Sequence, residues 1–519
     1  MLSGSALQNC KGGSSMKPLK RIVSALLAAV CAAGLLCSHT AAAERAPLSG
    51  DVNADGTVTA ADAALLADYL TAEKSLAAPA SADLNADGIL NAADLTLLKR
   101  QILTPHRADA LMQRPLDALS PSMPATGAVR VLTVLVSFPD CAHPASVTPE
   151  QVAANCFGPA APESAAYPTE SISAYYARAS HGRLTLEGDV YAYTAQNESK
   201  SYIGLSGKFF TEIFKALDET VDFTRYDSDG DGCVDAVIAA VPDALGQTDW
   251  LPSTGTYSEK LTFDGMRIDT RSFGAADITK AAAFNSTWTH ELGHAMGLPD
   301  YYKYVNTESG VFGLNGDAGW ELMDDAAGDL SAFSKLLLGW YRPSEVQIYT
   351  GGTQTFELPC AQTAPGCVVI PRTAPAASGE PMDWLSEYFV LDYQSAAGNN
   401  AASLRNNTQR TLFRSGGLRI LHGEATVCQG ILHPELKWSN FGRYYDKHND
   451  KQRVLRLVNE AEGGGFFTAG DTVTGSISGF SWYDADGSQT VSAGVKIHVD
   501  SITDDRCTVT ISPAASQSQ

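Results

Sequence analysis

The feature that most constrains the fold of this chain is a tandem repeat near its N-terminal end. The segment DVNADGTVTAADAALLADYL begins at Asp51, and DLNADGILNAADLTLLKRQI begins 32 residues later at Asp83. Half of the twenty aligned positions are identical. Each copy opens with a loop rich in Asp and Asn and continues into apolar residues at helical spacing, such as Leu66 and Leu70. The repeat therefore predicts two loop–helix units in a small all-α module.

Both loops place oxygen-bearing side chains at loop positions 1, 3, 5, 9 and 12. Ca²⁺ takes roughly six to eight oxygen ligands, and Gly56 and Gly88 permit the sharp turn that brings such ligands together. We therefore expect one calcium ion in each loop, and the alternative is a pair of Asx-rich turns without metal. The predicted ligands are Asp51, Asn53, Asp55, Thr59 and Asp62 in the first loop and Asp83, Asn85, Asp87, Asn91 and Asp94 in the second.

Over residues 49–103 these loops and helices resemble the type I dockerin family, the duplicated calcium modules that bind cohesin domains. The resemblance implies a dockerin domain over 44–106 with two calcium ions. It also implies that the partner is a cohesin domain of a scaffold protein, in an assembly of the cellulosome type. The positions that would face cohesin are Ala60, Ala61, Ala92 and Ala93, with Lys99 and Arg100 in the second copy.

Residues 1–43 have the composition of a secretory signal peptide. Basic residues between 17 and 21 precede an apolar run over 22–36, and small residues favour cleavage near Ala43. The run is too short for a membrane span. We therefore expect a secreted, extracellular protein without a transmembrane span, held at a cell surface only through a scaffold. Translation starts at Met1 or at Met16.

The overall charge narrows the range of partners. The formal net charge is −21, with 58 acidic and 37 basic residues. A chain this acidic lacks the excess of positive charge that attracts nucleic acid or an anionic membrane. We therefore expect no nucleic-acid partner.

A Pro- and Ala-bearing stretch over 107–128 lacks periodicity and is predicted to be a spacer. The ten cysteines include three within the predicted signal segment, which leaves seven. An odd number requires at least one free thiol or an intermolecular bond. Two pairings are close enough in sequence to be candidates for disulfides: Cys141 with Cys156 and Cys360 with Cys367.

The segment STWTHELGHAMGLPDYY carries the strongest chemical signal. His290, Glu291 and His294 form an H-E-x-x-H pattern, and residues i and i+4 of a helix share one face. Gly297 can end the helix in a left-handed turn, after which the chain returns to Asp300. A catalytic zinc ion takes three protein ligands and keeps one open position. We therefore predict one zinc ion on His290, His294 and Asp300, with Glu291 as the general base.

Three alternatives stay open at this site. The two histidines could be hydrogen-bonded surface residues of an ordinary helix. The third ligand could be a downstream glutamate, Glu308 or Glu321, as in gluzincins. Met323 could form the methionine turn beneath the zinc of metzincins, or it could be an ordinary core residue.

A third calcium-type loop, YDSDGDGCVDAV, lies upstream of the H-E-x-x-H helix. Gly232 stands at loop position 6, and the carbonyl of Cys233 stands at position 7. Clustering carboxylates without a cation is costly because like charges repel. We therefore predict one more calcium ion here, and an ordinary Asp-Gly turn is the alternative. The predicted ligands are Asp227, Asp229, Asp231 and Asp235.

Six segments between Val131 and Trp340 together resemble the immune inhibitor A family of secreted bacterial zinc metalloproteases. They are VLVSFPD, SISAYYARASHGRLTLEG, YDSDGDGCVDAV, HELGHAMGLPDYY, ELMDD and SKLLLGW. The resemblance implies an α+β zincin domain of metzincin type over 129–345, with the zinc ligands and base named above and Met323 as the methionine turn. That family often carries an inhibitory propeptide where this chain has its calcium module and spacer.

The rest of the chain, 346–519, is predicted to be an all-β domain of the sandwich type. Strand-like segments such as SEYFVLDYQ and RCTVTISP are separated by Gly, Asn and Asp. Three scattered histidines are predicted to be structural or surface residues: His422, His433 and His448.

These features together predict a multidomain chain with a small all-α dockerin, an α+β zincin domain and an all-β C-terminal domain. The function expected is a secreted zinc endopeptidase that acts on protein or peptide substrates and is tethered to a cohesin scaffold. One alternative is a non-catalytic calcium- and cohesin-binding scaffold component, against which the intact Glu291 argues. The other is a carbohydrate-active enzyme, the usual companion of a dockerin.

Overall fold

The computed structural model describes most of the chain from residue 52 to residue 514. The described residues are 52, 53, 58, 60–72, 75, 76, 78–85, 88–103, 110–204, 206–306, 312–315, 321–325, 328–373, 382–401, 416–430, 433–439, 453–462 and 465–514. The predicted export signal, 1–43, lies outside them. Among the described helices, none combines the length and apolar character needed to cross a bilayer.

The chain forms two compact units, Met1–His106 and Arg107–Gln519. The described helices of the first unit are α1 (Ala60–Ala72), α2 (Pro79–Ala82) and α3 (Ala92–Leu103). α1 and α3, one from each repeat, pack against each other. Their small core contains Val52, Ala63, Leu66, Leu76, Ala82 and Leu98.

The second unit contains six α-helices within its described residues. They are α4 (Pro149–Phe157), α5 (Ile172–Ala179), α6 (Ser206–Leu217), α7 (Ala281–Ala295), α8 (Leu322–Asp325) and α9 (Ala332–Leu337). Short 3₁₀ turns lie at Pro115–Leu119, Ser199–Ser201, Phe223–Tyr226, Asp243–Leu245, Pro343–Glu345, Gly398–Asn400 and Glu460–Glu462.

The first sheet of the second unit has five strands in the order β2-β1-β3-β5-β4. β1, β2, β3 and β5 are parallel neighbours, and β4 pairs antiparallel with β5 at one edge. The strand bounds are β1 (Gly127–Ser137), β2 (Leu184–Thr194), β3 (Val237–Pro242), β4 (Ser253–Phe263) and β5 (Met266–Ala276).

The apolar run of β1 is long because both faces of this strand are buried. Val129, Val131 and Leu135 face one hydrophobic cluster, which also contains Trp288 of α7. Leu132, Val134 and Val136 face a second cluster, which includes the three phenylalanines of α6. Successive side chains of a strand point to opposite faces, so α6 and α7 cover opposite sides of the sheet.

The C-terminal part contains two larger sheets, in the orders β15-β12-β11-β10-β8 and β16-β19-β20-β9. Their facing residues, such as Phe389 and Val509, share one hydrophobic cluster, so the two sheets pack against each other. The strands of the two sheets are β8 (Val346–Ile348), β9 (Gln354–Pro359), β10 (Cys367–Pro371), β11 (Glu387–Gln394), β12 (Gly417–Glu424), β15 (Leu455–Leu457), β16 (Thr472–Val473), β19 (Val495–Ile502) and β20 (Arg506–Pro513).

Three two-stranded sheets complete the described strands. They are β6 (Lys303–Asn306) with β7 (Phe312–Asn315), β13 (Val427–Gln429) with β14 (Pro434–Leu436), and β17 (Ser481–Tyr483) with β18 (Gln489–Ser492).

The outer face of the five-stranded C-terminal sheet does not face solvent. Val390 and Leu421 of this sheet belong to the same buried cluster as Trp288 and Met323. One hydrophobic core therefore extends from the H-E-x-x-H helix into the sandwich, within a single compact unit.

Residues 110–126, predicted as part of a spacer, instead pack against this core. Leu116 and Met123 are fully buried. The amide of Met123 donates to the carbonyl of Ala295 at 3.1 Å, and the Trp340 indole donates to the carbonyl of Ala125 at 2.6 Å. The apolar side chains between the prolines therefore hold this segment against the end of α7.

The two suggested disulfides are absent among the described cysteines, where Cys141, Cys156, Cys360 and Cys367 are free thiols. The physical reason is clearest for the second pair. Cys360 lies in the cluster between the sandwich sheets, whereas Cys367 lies in the cluster shared with α7. Similarly, Cys156 is buried in that shared cluster, and Cys141 lies outside it at a half-exposed turn.

Candidate functional site

Helix α7 places the H-E-x-x-H residues at the surface of the buried core. His290 and Glu291 are only 8% and 4% exposed. The two imidazole rings lie 4.9 Å apart between centroids and are perpendicular. The opposite face of the helix packs into the core through Phe284, Trp288, Leu292 and Ala295. The two histidines therefore share one face of the helix, as predicted from sequence, and the other face is apolar.

A left-handed turn brings Asp300 to the two histidines. Gly297 has φ 98°, and its amide donates to the carbonyl of His294 at 2.8 Å. Asp300 Oδ1 then lies 3.0 Å from His290 Nε2 and 3.2 Å from His294 Nε2. The three ligand atoms lie within 4.8 Å of one another.

Backbone carbonyls orient both imidazoles. His290 Nδ1 lies 3.0 Å from the carbonyl oxygen of Leu322, and His294 Nδ1 lies 2.8 Å from that of Leu298. When these nitrogens carry the protons, the Nε2 lone pair of each histidine is free to bind a metal ion beside Asp300. Metal-ligating histidines usually have such an outer partner.

Met323 lies directly beneath the polar segment of α7. A Cβ atom built on Gly293 would lie 2.6 Å from the Met323 sulfur, so any larger residue here would displace the Met323 side chain. The carbonyl of Met323 also accepts from the amide of Tyr301 at 2.9 Å. These contacts bury Met323 against the segment of α7 that carries the two histidines.

The charges of the site are strongly coupled. Burial disfavours the charged form of His294, but the carboxylates of Asp300 and Glu291 outweigh it and raise the pKa of His294 to about 9. Burial also opposes ionisation of Asp300, yet the two imidazoles hold the pKa of Asp300 well below its usual range. In the metal-free chain the pair is therefore charged near neutral pH, and a metal ion that binds here must displace a proton.

The alternative third ligands are placed differently. Glu321 is fully buried, and its carboxylate accepts from the Ser331 amide and the Ser334 hydroxyl, each at 2.8 Å. Glu308 lies outside the described residues. Glu321 is therefore hydrogen-bonded to the N-terminal end of helix α9, whereas Asp300 lies against the histidines.

Three further residues contact this site, and two of them, Thr254 and Ser272, carried no sequence signal. The Thr254 hydroxyl lies 2.8 Å from Glu291 Oε2, and Ser272 Oγ lies 2.6 Å from Thr254 Oγ1. Tyr302 also stacks over His290 with ring centroids 6.4 Å apart. Thr254 precedes Glu291 by 37 residues, so only the pairing of β4 with β5 beside α7 reveals the contact.

The upstream acidic loop forms a second carboxylate cluster. Ligand atoms of Asp227, Asp229 and Asp235 lie within 4.8 Å of one another. Asp231 instead accepts from the Cys233 amide at 2.7 Å and is not part of this group. Within the described chain, the buried Asp235 Oδ1 has no hydrogen-bond partner.

Charge in this loop is poorly compensated without a cation. Burial raises the pKa of Asp235 to about 7, with hydrogen bonds from Ser228 opposing it and the Asp229 and Asp227 carboxylates adding to it. Burial and the neighbouring carboxylates also raise the pKa of Asp229. A Ca²⁺ ion would supply the missing positive charge and occupy the unused lone pairs of Asp235.

We predict that calcium stabilises this loop without taking part in catalysis. A protein lacking residues 1–106 should show a thermal midpoint that rises with calcium, because the ion binds only the folded state. Asp229→Ala should remove that rise, because it removes one of the three clustered carboxylates. Activity per folded molecule at low temperature should change little. Equal melting temperatures in chelator and in calcium would show that the loop is an ordinary turn.

In both repeats the aspartate at loop position 12 accepts hydrogen bonds from backbone amides of its own loop. Asp62 Oδ1 accepts from the amides of Val52 and Asn53 at 2.9 and 3.1 Å. Its equivalent Asp94 accepts from the Leu84 amide at 3.0 Å and from the Asn91 amide at 2.9 Å. The position-12 aspartates therefore tie each loop to its helix. The predicted ligands Asp51, Asp55, Thr59 and Asp87 lie outside the described residues.

The small core of this unit predicts that its stability depends on the metal. A fragment of residues 44–106 should be largely unfolded in chelator and should gain helix when calcium is added. Circular dichroism measures the change, and magnesium serves as the control because it demands a stricter octahedral geometry. Equal helix content in chelator and in calcium would contradict this prediction.

Comparison with protein families matches residues 49–103 to the dockerin type I domain. This confirms the sequence assignment of the repeat. The segment is a calcium-binding dockerin, and the partner of such a domain is a cohesin. The match covers this segment and does not extend to the unit that carries His290.

Two further comparisons add little. No curated protein matches the chain. Among solved structures, the chain is similar to the crystal structure of wild-type OgpA from Akkermansia muciniphila. The identity is 13%, the match covers 56% of this chain and 75% of that one, and the TM-score is 0.22. At this TM-score we draw no conclusion from the similarity.

Proposed function

We propose that this protein is a secreted zinc-dependent endopeptidase that its dockerin tethers to a cohesin-bearing scaffold. The observation that carries the proposal is the convergence of His290 Nε2, His294 Nε2 and Asp300 Oδ1 next to the Glu291 carboxylate. Two imidazoles and one carboxylate are a ligand set used by catalytic zinc sites. The dockerin accounts for the tether and its calcium requirement.

The residues fit a zinc ion in chemistry and in spacing. Zinc–ligand bonds of about 2.0–2.2 Å place tetrahedral ligands roughly 3.4 Å apart. The present separations of 3.0 and 3.2 Å from Asp300 need to widen by only a few tenths of an ångström. Both histidines already hold their outer nitrogens against carbonyls, as zinc ligands do.

The chain's own residues supply the proton transfers. Zinc, when bound, supplies Lewis-acid polarisation of a substrate carbonyl and of water. Glu291 accepts a proton from the water that attacks the peptide carbonyl carbon. The protonated Glu291 then donates that proton to the leaving amine nitrogen as the C–N bond breaks. Burial of Glu291 limits its access to bulk water, so the proton stays available for the second transfer.

The direct test is digestion of casein or gelatin by the purified full chain. Excess calcium is kept present throughout, so that the dockerin and the acidic loop remain saturated. A zinc-selective chelator should abolish cleavage, and added zinc should restore it. Absence of cleavage by zinc-loaded protein would favour the scaffold alternative. Release of sugars from polysaccharide, without cleavage of protein, would favour a carbohydrate-active enzyme.

A further inference from the structure

A pair of hydroxyl side chains on the edge of the first sheet approaches the candidate general base. Thr254 on β4 and Ser272 on β5 are cross-strand partners in the antiparallel ladder. Their oxygens lie 2.6 Å apart, and Ser272 is 2% exposed. Thr254 Oγ1 lies 2.8 Å from Glu291 Oε2 and 3.1 Å from the carbonyl oxygen of Glu291.

The donor directions follow from the number of hydrogens. Each hydroxyl has one hydrogen to donate and two lone pairs to accept. An ionised carboxylate accepts more strongly than a neutral carbonyl or hydroxyl, so Thr254 donates to Glu291 Oε2. Ser272 then donates to Thr254 Oγ1. Hydrogen bonds in such a chain polarise and strengthen one another.

We infer that Thr254, supported by Ser272, is a positioning residue that fixes the carboxylate of Glu291. This inference rests on the proposed function, in which Glu291 is the general base. Thr254 holds Oε2 against the sheet, and within the described chain Oε1 receives no hydrogen bond. The geometry therefore assigns the two oxygens different tasks: Oε2 anchors the side chain, and Oε1 faces the reacting water.

This arrangement explains why a threonine stands at the edge of the sheet. A free glutamate side chain populates several rotamers, and the other rotamers would move Oε1 away from the water. The anchor removes that freedom before substrate binds, which is the benefit of a preorganised site. Because Thr254 does not bind the metal, its loss should affect catalysis and not metal content.

The test compares Thr254→Val with Thr254→Ser and with Thr256→Val in the zinc-loaded full chain. Valine keeps the shape of threonine and removes the hydroxyl. Thr256 lies two residues along the same strand, is exposed, and has its hydroxyl 3.5 Å from that of Thr270, so it is the matched control. We expect Thr254→Val to lower kcat by roughly 10- to 100-fold, the range for one lost hydrogen bond to a charged group. KM and bound zinc should change less than about twofold. Loss of a metal ligand would lower zinc affinity by far more than that.

The controls separate positioning from general damage. Thr254→Ser keeps the hydroxyl and should recover most of kcat, whereas Thr256→Val should keep all of it. Ser272→Ala should give a smaller loss, since Thr254 still donates to the carboxylate. Equal losses in Thr254→Val and Thr256→Val, or no recovery with serine, would overturn the inference.

A second readout does not depend on activity. The carboxylate stretching band of Glu291 can be isolated in the infrared spectrum by subtracting the Glu291→Gln spectrum at fixed pH. Thr254→Val should shift this band in the metal-free and the zinc-loaded chain, and Thr256→Val should leave it unchanged. An unshifted band overturns the inference whether or not the chain cleaves protein. If wild-type protein fails to cleave, the proposed function fails, and the band alone decides whether Thr254 holds Glu291.

Discussion

Replacing Glu291 by Gln should lower kcat/KM for a peptide substrate by about a thousandfold or more, because general-base catalysis contributes roughly 10² to 10⁴. The amide has nearly the shape of the carboxylate and can still accept the Thr254 hydroxyl through its oxygen. It cannot accept a proton from water near neutral pH. His290, His294 and Asp300 remain intact, so bound zinc should stay at the wild-type level.

The measurement pairs peptide hydrolysis with elemental analysis of zinc in the same samples. Glu219→Gln makes the same chemical change at an exposed site at the start of the loop after helix α6, and it should leave both quantities unchanged. Retained hydrolysis in Glu291→Gln would reject the assigned base. Loss of the metal in this variant would instead make Glu291 a ligand.

Replacing Asp300 by Ala should reduce zinc affinity by more than about a hundredfold, since even the loss of an outer partner of a ligand costs 10- to 100-fold. The variant leaves two imidazoles, which is too few for a tight zinc site. It also removes the carboxylate that raises the pKa of His294. Cleavage activity should fall together with the bound metal.

Zinc retention after dialysis against a competing chelator measures this effect. Asp218→Ala, at an exposed position just after α6, is the matched control and should retain zinc. Glu321→Ala and Glu308→Ala should also retain zinc, although Glu321→Ala is expected to destabilise the fold because its carboxylate holds Ser331 and Ser334. If Asp300→Ala keeps its zinc and one of these two glutamate variants loses it, the third ligand is a glutamate.

The Glu291→Gln and Asp300→Ala variants also test whether the acidic loop and the dockerin bind calcium independently of zinc. Neither substitution touches Asp227, Asp235 or the dockerin, so calcium-dependent stability should be preserved in both. A calcium response that survives the loss of zinc would show that the two metals act at independent sites.

Sequence alone determined those features in which the interacting residues are close along the chain. The calcium loops of the dockerin could be predicted because their oxygen ligands fall within twelve consecutive residues and each loop ends in its own helix. The H-E-x-x-H pattern was readable for a related reason, since a helix fixes the relative directions of His290 and His294. Gly297 and Asp300 follow within a few residues, so the turn that returns the chain was also predictable.

Tertiary structure decided the features that depend on contacts between distant segments. Thr254 and Ser272 meet Glu291 only because β4 and β5 lie beside α7, and no spacing in the sequence encodes that register. Residues 110–126 lack a periodic pattern, yet Leu116 and Met123 find apolar partners at the end of α7. Cys360 and Cys367 are near in sequence but lie in different hydrophobic clusters. Local spacing determines which side chains a turn or a helix can bring together. Burial of apolar surface between elements determines which distant segments come into contact.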